Sequence, residues 1–471
     1  MSDQALYGLW LLAALLCGCA ANPPLPATPA VPGAWEHPAA GSGSQWPGAE
    51  WYHGFGSDEL DSLVAAAAAN NLDLAAAEAR IRQADARARA AGAAILPQVD
   101  VGANAMQVSG RSRDVSARET DSAALLSASY EVDFWGRNRA IARSAQAAAE
   151  ANRADRNTVA LTALAGVADT YFEVLSLRER LALAHSNLDT TRDVLKAIEA
   201  RADAGVASPL ELAQQRAAVA SAELQIPQLA QQEMQARGAL ALLLGRVPEG
   251  FDVTGQKLDA LREPVLGPGL PSELLTRRPD LIAAEARLEA AHADLAAARA
   301  ALFPTITLTG SGGLQNPGFQ AVLTTLPGAG HSVSIGASVV QTIFDRGRRR
   351  ALGTEAQARE QELVANYRAA ILASLLDVET ALSALGQLDL QQRAQNENVT
   401  QSERALEGAQ LRYHEGSADY LALLESQRAL YAAREQMSRY RLARLEAWVG
   451  LCKALGGGWQ GAAPDKEPRR P

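Results

Sequence analysis

Apolar residues recur at helical spacing along most of this chain, and short breaks containing glycine or proline interrupt them. The long segments between the breaks are rich in Ala, Gln, Glu and Arg, which is typical of long helices packed through small side chains. Two breaks, near Gly205 and near Gly416, separate helical patterns that resume at once. We predict that each break is a tight tip between two antiparallel helices.

Four shorter segments alternate between apolar and polar residues, as expected for strands with one apolar face. They form two pairs, each opening after a proline, and predict β-hairpins at about 97–134 and about 304–344. Polar or glycine-rich stretches at 109–122 and 310–330 separate the members of each pair and predict loops. The predicted apolar faces contain Val99, Val101, Ala103, Ala105, Leu126, Ala128, Tyr130, Val132 and Phe134, and then Ile306, Leu308, Val333, Ile335, Ala337 and Val339.

The two halves of the chain repeat one plan. Glycines recur at an interval of 211 positions, as Gly136 and Gly347, Gly205 and Gly416, and Gly245 and Gly456. The segment from junction to tip is therefore equally long in both halves, about 100 Å if wholly helical at 1.5 Å per residue. The returning segment is shorter, about 60 Å by the same rise. This pattern predicts an internal two-fold structural repeat.

The start of the chain predicts export and lipidation. Residues 5–18 form an apolar run of signal-peptide length that ends just before Cys19. Leu16-Cys17-Gly18-Cys19 resembles a bacterial lipobox, in which the final cysteine becomes the lipidated first residue of the mature chain. The opening M-S-D-Q carries no Lys or Arg, which departs from the usual signal peptide. An ordinary signal peptide that contains cysteines is the alternative.

These signals give the following organisation. We predict a signal peptide at 1–18, a lipidated N-terminal tether at 19–56, a first repeat at 57–245, a linker at 246–278, a second repeat at 279–456 and a disordered tail at 457–471. No apolar run of 18 residues follows the leader, so we expect no transmembrane helix in the mature protein.

Composition and charge exclude several classes of protein. Aromatic residues are only 5% of the chain, so a wide aromatic core is not expected. The net charge of -9 comes from helices with charges of both signs, and the chain has no basic patch that would indicate binding to nucleic acid. The three cysteines are too few for a disulfide framework and lack zinc-ligand spacing. The six histidines are dispersed and no nucleotide-binding or nucleophile motif occurs, so we expect no enzyme, cofactor or metal.

The strands favour a membrane location and several copies of the chain. Alternating segments of about 10 residues match the wall of a transmembrane β-barrel. Four strands in lipid would leave two edges with unsatisfied backbone groups, so several chains must share one barrel. Three copies, giving twelve strands, are the simplest closed solution with an open lumen. The alternative is a soluble sandwich edge.

The repeat, both tips and the motif R-R-P-D-L-I-A-A-E-A-R-L at 277–288 resemble the TolC-like outer-membrane factors. The lipobox and W-Y-H-G-F at 51–55 resemble, more narrowly, the NodT-type RND efflux lipoproteins. The resemblance implies an α+β membrane fold, with a trimeric 12-stranded β-barrel continued by a long periplasmic α-helical barrel. It also implies an outer-membrane exit channel of a tripartite efflux system. The implied partners are two further copies, a periplasmic adaptor, an RND-type inner-membrane transporter and outer-membrane lipid.

The resemblance also implies a gate just after the second tip. Its acidic ring residue corresponds to Glu425 and its apolar constriction to Leu421, with Ser417 where some relatives carry a larger apolar residue. Without the resemblance, Glu425 would be interpreted as an exposed helix residue. The tip hairpins contain Gly205, Val206, Ala207, Ser208, Tyr413, Gly416 and Asp419. We expect Tyr413, Arg412 and Asp419 to form hydrogen bonds between helices that hold the tip shut.

The sequence is compatible with two other functions. A type I secretion duct would use the same fold, whereas a periplasmic coiled-coil scaffold lipoprotein would have no pore. The four alternating strands argue against the scaffold, which has no need of membrane-length segments. The sequence does not identify the exported substrate.

Overall fold

The computed structural model describes residues 30–37, 46–112, 115–317, 330–415, 417 and 419–457, without the side chains of 106–122 and 314–332. The predicted signal peptide, the Cys19 lipid site, Gly416 and nearly all of the predicted tail lie outside these residues. The described chain forms two compact units. The strand unit contains Arg89–Ser144 and Glu289–Ala365, and the helical unit contains Ala30–Ala88, Ala145–Leu288 and Asn366–Pro471.

The helices confirm the internal repeat. In the described residues the α-helices are α1 (Asp58–Asn70), α2 (Leu72–Ala93), α3 (Arg137–Asp203), α4 (Pro209–Leu243), α5 (Leu274–Arg277), α6 (Pro279–Ala300), α7 (Arg348–His414) and α8 (Tyr420–Ala454). Short 3-10 helices occupy Trp51–Phe55 and Pro271–Glu273. Helices α2 and α6 each have 22 residues, α3 and α7 each have 67, and α4 and α8 each have 35.

Glycines in the left-handed conformation mark the ends of these helices. Of the six glycines that define the repeat, the five in the described residues all have φ between 66° and 88°. Gly245 is the most constrained, because a Cβ atom there would lie 2.4 Å from the carbonyl oxygen of Asn70. A side chain at this position would meet both backbone strain and a steric clash.

The strand unit is a four-stranded antiparallel sheet in the order β1-β2-β3-β4. Its strands are β1 (Gln98–Ser112), β2 (Val115–Val132), β3 (Thr305–Pro317) and β4 (Gly330–Val340). The prediction of loops at 109–122 and 310–330 is therefore wrong over most of the first range and at the start of the second. Polar and glycine residues hide the alternation, although the backbone ladder continues through them. Gly313 is needed there, since its Cβ would lie 2.4 Å from the carbonyl oxygen of Ala124.

The sheet has one apolar and one polar face, as the alternation predicts. Cross-strand partners share a face, and the register places Val101 beside Leu126 and Gly312 beside Val333. The apolar face includes Val99, Val101, Leu126, Leu308, Val333, Ile335 and Val339, all exposed in the single chain. On the opposite face, the hydroxyls of Ser311 and Ser334 lie 2.6 Å apart. Strands β1 and β4 each pair on one side only, so the sheet presents two open edges and an uncovered apolar face.

The linker of the helical unit is held by two charged side chains. The Glu59 carboxylate accepts hydrogen bonds from the backbone N–H of Gly255 and from the Tyr171 hydroxyl, both at 2.9 Å. Arg178 donates to the carbonyl oxygens of Val253 at 2.6 Å and Gly255 at 2.8 Å. Burial alone would raise the pKa of Glu59, but hydrogen bonds from the backbone and hydroxyl of Thr254, and then those from Tyr171 and Gly255, lower it. The proline-rich and glycine-rich linker is therefore docked along part of its length.

The Arg278 guanidinium joins three helices of the helical unit. Its Nε and Nη2 donate to Asp280 in α6 at 3.0 and 2.7 Å, and Nη2 also reaches Asp377 in α7 at 3.0 Å. Its Nη1 donates to the carbonyl oxygen of Ala454, the last residue of α8, at 3.0 Å. Burial would lower the pKa of Arg278, yet the carboxylates raise it. The R-P-D-L motif is thus a structural clamp.

The N-terminal segment packs on the helical unit where the structure describes it. The indole N–H of Trp35 donates to the carbonyl oxygen of Gly269 at 2.9 Å, and that of Trp46 donates to Leu455 at 3.1 Å. Trp51 and Phe55 are buried in the core. The predicted tether at 19–56 is therefore docked over these residues, because its tryptophans bring apolar surface and hydrogen-bond donors.

Helices α3 and α7 are long and apolar enough to cross a membrane by length and composition alone. Their alanine-rich windows reach this mean hydropathy without an unbroken apolar run, so the expectation of no transmembrane helix stays a prediction. Core helices of soluble proteins pass the same test, and half of the α3 window is buried in the structure. The windows alone therefore do not make either helix a membrane span.

Candidate gate at the helix tips

The first tip turns through Gly205 and is closed by backbone and capping hydrogen bonds. Gly205 has φ of 73°, and the N–H of Val206 donates to the carbonyl oxygen of Arg201 at 2.8 Å. Ser208 caps α4 in a capping box with Glu211, in which each side chain accepts from the other residue's backbone N–H. Pro209 follows at the first helical position. The sequence therefore specifies this turn residue by residue.

The second tip turns with fewer side-chain caps. The backbone N–H and the hydroxyl of Ser417 both donate to the carbonyl oxygen of Arg412, at 2.8 and 3.1 Å. Asp419 occupies the N-cap position of α8, but its side chain accepts no capping hydrogen bond. A missing N-cap bond costs a helix about 1 kcal/mol. The second tip is therefore less firmly capped than the first.

The two tips contact each other through an arginine and two tyrosines. The Arg201 guanidinium lies 4.8 Å from the centre of the Tyr413 ring, in a cation–π contact. The Tyr413 ring meets that of Tyr420 edge-on, with centroids 6.1 Å apart. Tyr413 therefore joins the two tips through its ring, and Arg412 contributes its backbone carbonyl to the turn. The hydrogen bonds expected from Tyr413 and Asp419 between helices stay predictions.

A small buried cluster lies beneath this contact. It consists of Ile198, Ala218, Tyr420 and Leu424, with Val194, Ala207, Leu212 and Tyr413 partly buried against it. The Tyr420 hydroxyl donates to the side-chain oxygen of Gln215, whose own amide donates to the carbonyl oxygen of Thr191 at 2.6 Å. Burial raises the pKa of Tyr420 to about 12, so this hydroxyl keeps its proton. Helices α3, α4 and α8 are joined by this chain of hydrogen bonds.

The predicted gate residues lie on an exposed face of α8, about 100° around the helix from Tyr420 and Leu424. Leu421 and Glu425 are one helical turn apart and therefore share a face. Leu421 is 49% exposed and the Glu425 side chain is 63% exposed. Arg428 is the ionic neighbour of Glu425, at 3.8 Å. Ser417 is exposed at the turn before them.

The gate face differs between the repeats. At the interval of 211 residues, Leu421 corresponds to Leu210, which is also exposed, and Glu425 corresponds to Gln214. Of Gln214 and Glu425, only Glu425 at the second tip has a carboxylate. A ring of three acidic side chains would therefore come from α8 of each copy.

Sequence reasoning missed Arg201, Gln215 and Tyr420 as tip residues. Tyr420 and Gln215 are 205 positions apart, and helical periodicity does not show which distant residues meet. A signal was present in Tyr420 itself, since a tyrosine on the buried face of a helix needs a polar partner for its hydroxyl.

A half-buried carboxyl on α3 predicts a pH effect on stability. Burial, and then the charge of Glu446, raise the pKa of Asp169 to about 7, and its Oδ1 atom has no hydrogen-bond partner among the described residues. The folded chain therefore holds a proton that the unfolded chain releases near pH 4, so stability falls as pH rises from about 4 to about 7. We expect Asp169→Asn to raise the melting temperature, and the gain to grow over this range and level off above it. Circular dichroism melts from pH 4 to 8 measure this.

The matched control is Asp259→Asn, which makes the same substitution at an exposed aspartate. A gain that does not change with pH, or an equal gain for both variants, would contradict the assignment.

The open sheet with one apolar face and the paired helix tips fit a channel-forming subunit of an outer membrane. A family model described as "Outer membrane efflux protein" matches residues 63–246 and 270–457. The chain belongs to the outer membrane efflux protein family.

Named relatives and solved structures agree with this family. The chain is 44% identical over 456 residues to the pyoverdine export outer membrane protein OpmQ of Pseudomonas aeruginosa, covering 95% of each. It is 41% identical to OpmQ of Pseudomonas putida, covering 97% of this chain and 99% of that one. Among solved structures, the outer-membrane channel OprN superposes with a TM-score of 0.86 at 29% identity, covering 94% of this chain and all of that one. CusC superposes with a TM-score of 0.82 at 28% identity, with the same coverage.

The family confirms the predicted fold class, function and location. The chain is a subunit of a trimeric outer-membrane channel that contributes four strands to a β-barrel and extends into the periplasm. It is the exit channel of a tripartite efflux system, which requires a periplasmic adaptor and an inner-membrane pump as partners.

Proposed function

We propose that this chain is the outer-membrane exit duct for pyoverdine or a closely similar compound. The observation that carries the proposal is its identity of 44% and 41% with two pyoverdine export proteins over nearly the full length of each. Other relatives with different named cargoes are less similar, such as the toluene efflux protein TtgF of P. putida at 34% identity. The duct conducts passively, and the inner-membrane pump supplies the energy.

The proposed gate is formed by Leu421 and Glu425 from each of three copies, with Ser417 at the turn before them. Their shared exposed face supports this, because Tyr420 and Leu424 on the neighbouring face of α8 are occupied in the tip cluster. Carboxylates grouped around an axis favour cations and disfavour anions. The contact between Arg201 and Tyr413 holds the two tips together, and the adaptor opens the channel by separating them.

The proposed assembly has an RND-type pump and a lipid anchor. The NodT-like opening at 51–55 and the lipobox support both assignments. Cys19 carries the lipid, which adds an attachment to the outer membrane beyond the barrel. The channel itself uses no metal and no organic cofactor.

Complementation tests the cargo. In P. aeruginosa without OpmQ, we expect this chain to restore pyoverdine to the culture medium and to remove it from the periplasm. The same strain carrying extra OprJ, a 33% identical outer membrane protein of that organism, is the matched control and should not do so. Pyoverdine retained in the periplasm, although this chain is present as trimer in the outer membrane, would disprove the proposed cargo and leave the channel assignment intact.

A further inference from the structure

Three arginines at the second junction between strand and helix have no partner in the described part of the chain. Arg346, Arg348 and Arg350 are all exposed, and none of them forms a hydrogen bond or ion pair through its side chain there. The adjacent carboxylate of Asp345 accepts hydrogen bonds from the backbone N–H groups of Gly347 and Arg349, at 2.9 and 3.1 Å, and its ionic neighbour is the Arg349 side chain at 3.9 Å. The three positive charges therefore lack an internal counter-charge.

At the first junction between strand and helix, the corresponding arginines are paired with carboxylates. Arg137 and Arg139 correspond to Arg348 and Arg350 at the interval of 211 residues. Arg137 pairs with Glu131 at 2.8 Å, and Arg139 pairs with Asp133 at 3.1 Å. The residues equivalent to those two acids are Thr342 and Phe344, and the residue equivalent to Trp135 is Arg346. At the equivalent positions, the second junction therefore has neither carboxylate and has one more arginine.

This arrangement costs stability within the chain. The arginines lie at the beginning of α7, where the helix dipole is positive and the first turn contains no acidic residue. Arg346 also has φ of 53° and is the non-glycine residue with positive φ among those the structure describes. A non-glycine residue in this conformation is strained, and such strain is found mainly where it serves a function. An anion from outside the chain would offset the repulsion.

Exposed apolar side chains lie directly beside the arginines. Ile343 is 90% exposed and Phe344 is 81% exposed, and both follow the end of β4. They come four and five residues after Val339, the last exposed residue on the apolar face of β4. Apolar and aromatic residues next to arginines at the end of membrane strands are typical of the level of lipid headgroups.

We propose that Ile343, Phe344, Arg346, Arg348 and Arg350 form a binding surface for an anionic phospholipid at the periplasmic face of the outer membrane. The guanidinium groups bind the headgroup phosphate, for which their planar donors are well suited. The acyl chains cover Ile343 and Phe344, and this covering distinguishes a lipid from a free anion. The inference rests on the membrane location of the strands and not on the exported cargo.

Lipid binding to the purified trimer tests this surface. Phosphatidylglycerol is titrated onto delipidated full-length trimer in neutral detergent, and bound lipid is counted by native mass spectrometry. The variant Arg346→Gln/Arg348→Gln/Arg350→Gln should bind about tenfold more weakly or worse, because it loses the charge-assisted bonds to phosphate. The control Arg82→Gln/Arg87→Gln/Arg404→Gln removes three exposed arginines, also unpaired in the described chain, and should bind as the wild type does. Zwitterionic phosphatidylethanolamine should bind weakly to all three.

A second variant keeps the arginines and supplies the missing acids. Thr342→Glu/Phe344→Asp copies the first junction, and its carboxylates should pair with Arg348 and Arg350 and weaken phosphatidylglycerol binding. Unchanged binding in the triple glutamine variant would overturn the proposal. Dissociation of that variant's trimer in lipid-free detergent would also overturn the proposal. It would show that the arginines pair with carboxylates of a neighbouring copy and not with a lipid. Neither result depends on whether pyoverdine is the cargo.

Discussion

Replacing Arg278 with methionine is expected to destabilise the helical unit by about 2–4 kcal/mol. The Arg278 side chain is 11% exposed and holds Asp280, Asp377 and the end of α8 together. Methionine keeps much of the volume but leaves the Ala454 carbonyl and two carboxylates without their donor. The carboxylates are partly exposed, so water regains some of their hydration and keeps the loss below that of a fully buried pair. The melting temperature of the purified trimer, followed by circular dichroism, measures the effect.

The adjacent Arg277→Met variant is the matched control. Arg277 lies over the Trp46 ring at 4.5 Å and pairs with Glu273 at 3.2 Å, but it is 40% exposed. An exposed pair and an exposed cation–π contact are together expected to contribute about 1 kcal/mol. Arg278→Lys should recover only part of the loss, because lysine cannot donate to both oxygens of Asp280 and also reach α8. Equal losses for Arg277→Met and Arg278→Met would contradict the clamp.

Much of the fold could be predicted because glycines recur at the same interval in both halves of the chain. A left-handed turn requires glycine at each helix end, so the interval of 211 positions fixed the lengths of α3 and α7, and of α4 and α8. The sheet faces were predictable for a similar reason, since alternation has a period of two in any strand. The predicted loops failed where glycine and polar residues lie within strands. At Gly313 a close approach between strands, which no periodicity reveals, selects glycine.

The gate at the second tip stays a proposal, and only the placement of its residues could be compared with the structure. Family resemblance placed Leu421 and Glu425 on α8, and the structure puts them on one exposed face. The side-chain contact between the tips could not be predicted, because Arg201 and Tyr413 come from different repeats. Local patterns specify each turn, whereas the contact between turns depends on how two distant helices pack. The docked N-terminal segment was missed for the same reason.

Replacing Glu425 with alanine is expected to raise the single-channel conductance of the trimer several-fold and to reduce its preference for cations. Three copies of this carboxylate would be removed from the face that also carries Leu421, and with them the charge that attracts cations and repels anions. Leu421→Ala should raise conductance without changing ion preference, because it widens the opening and alters no charge. Planar bilayer recordings with unequal KCl on the two sides give both quantities, conductance from current steps and ion preference from the reversal potential.

Glu407→Ala is the control for this experiment, because Glu407 is an exposed glutamate on α7 without a partner in the described residues. It removes the same charge from each copy and should change neither quantity. If Glu425→Ala and Glu407→Ala behave alike, Glu425 lines a solvated surface and does not form the gate. If Leu421→Ala shifts the reversal potential as strongly as Glu425→Ala does, then Leu421 is not only a constriction and Glu425 is not the source of the ion preference. The proposed ring therefore requires that Leu421→Ala changes conductance alone, whereas Glu425→Ala changes both conductance and ion preference.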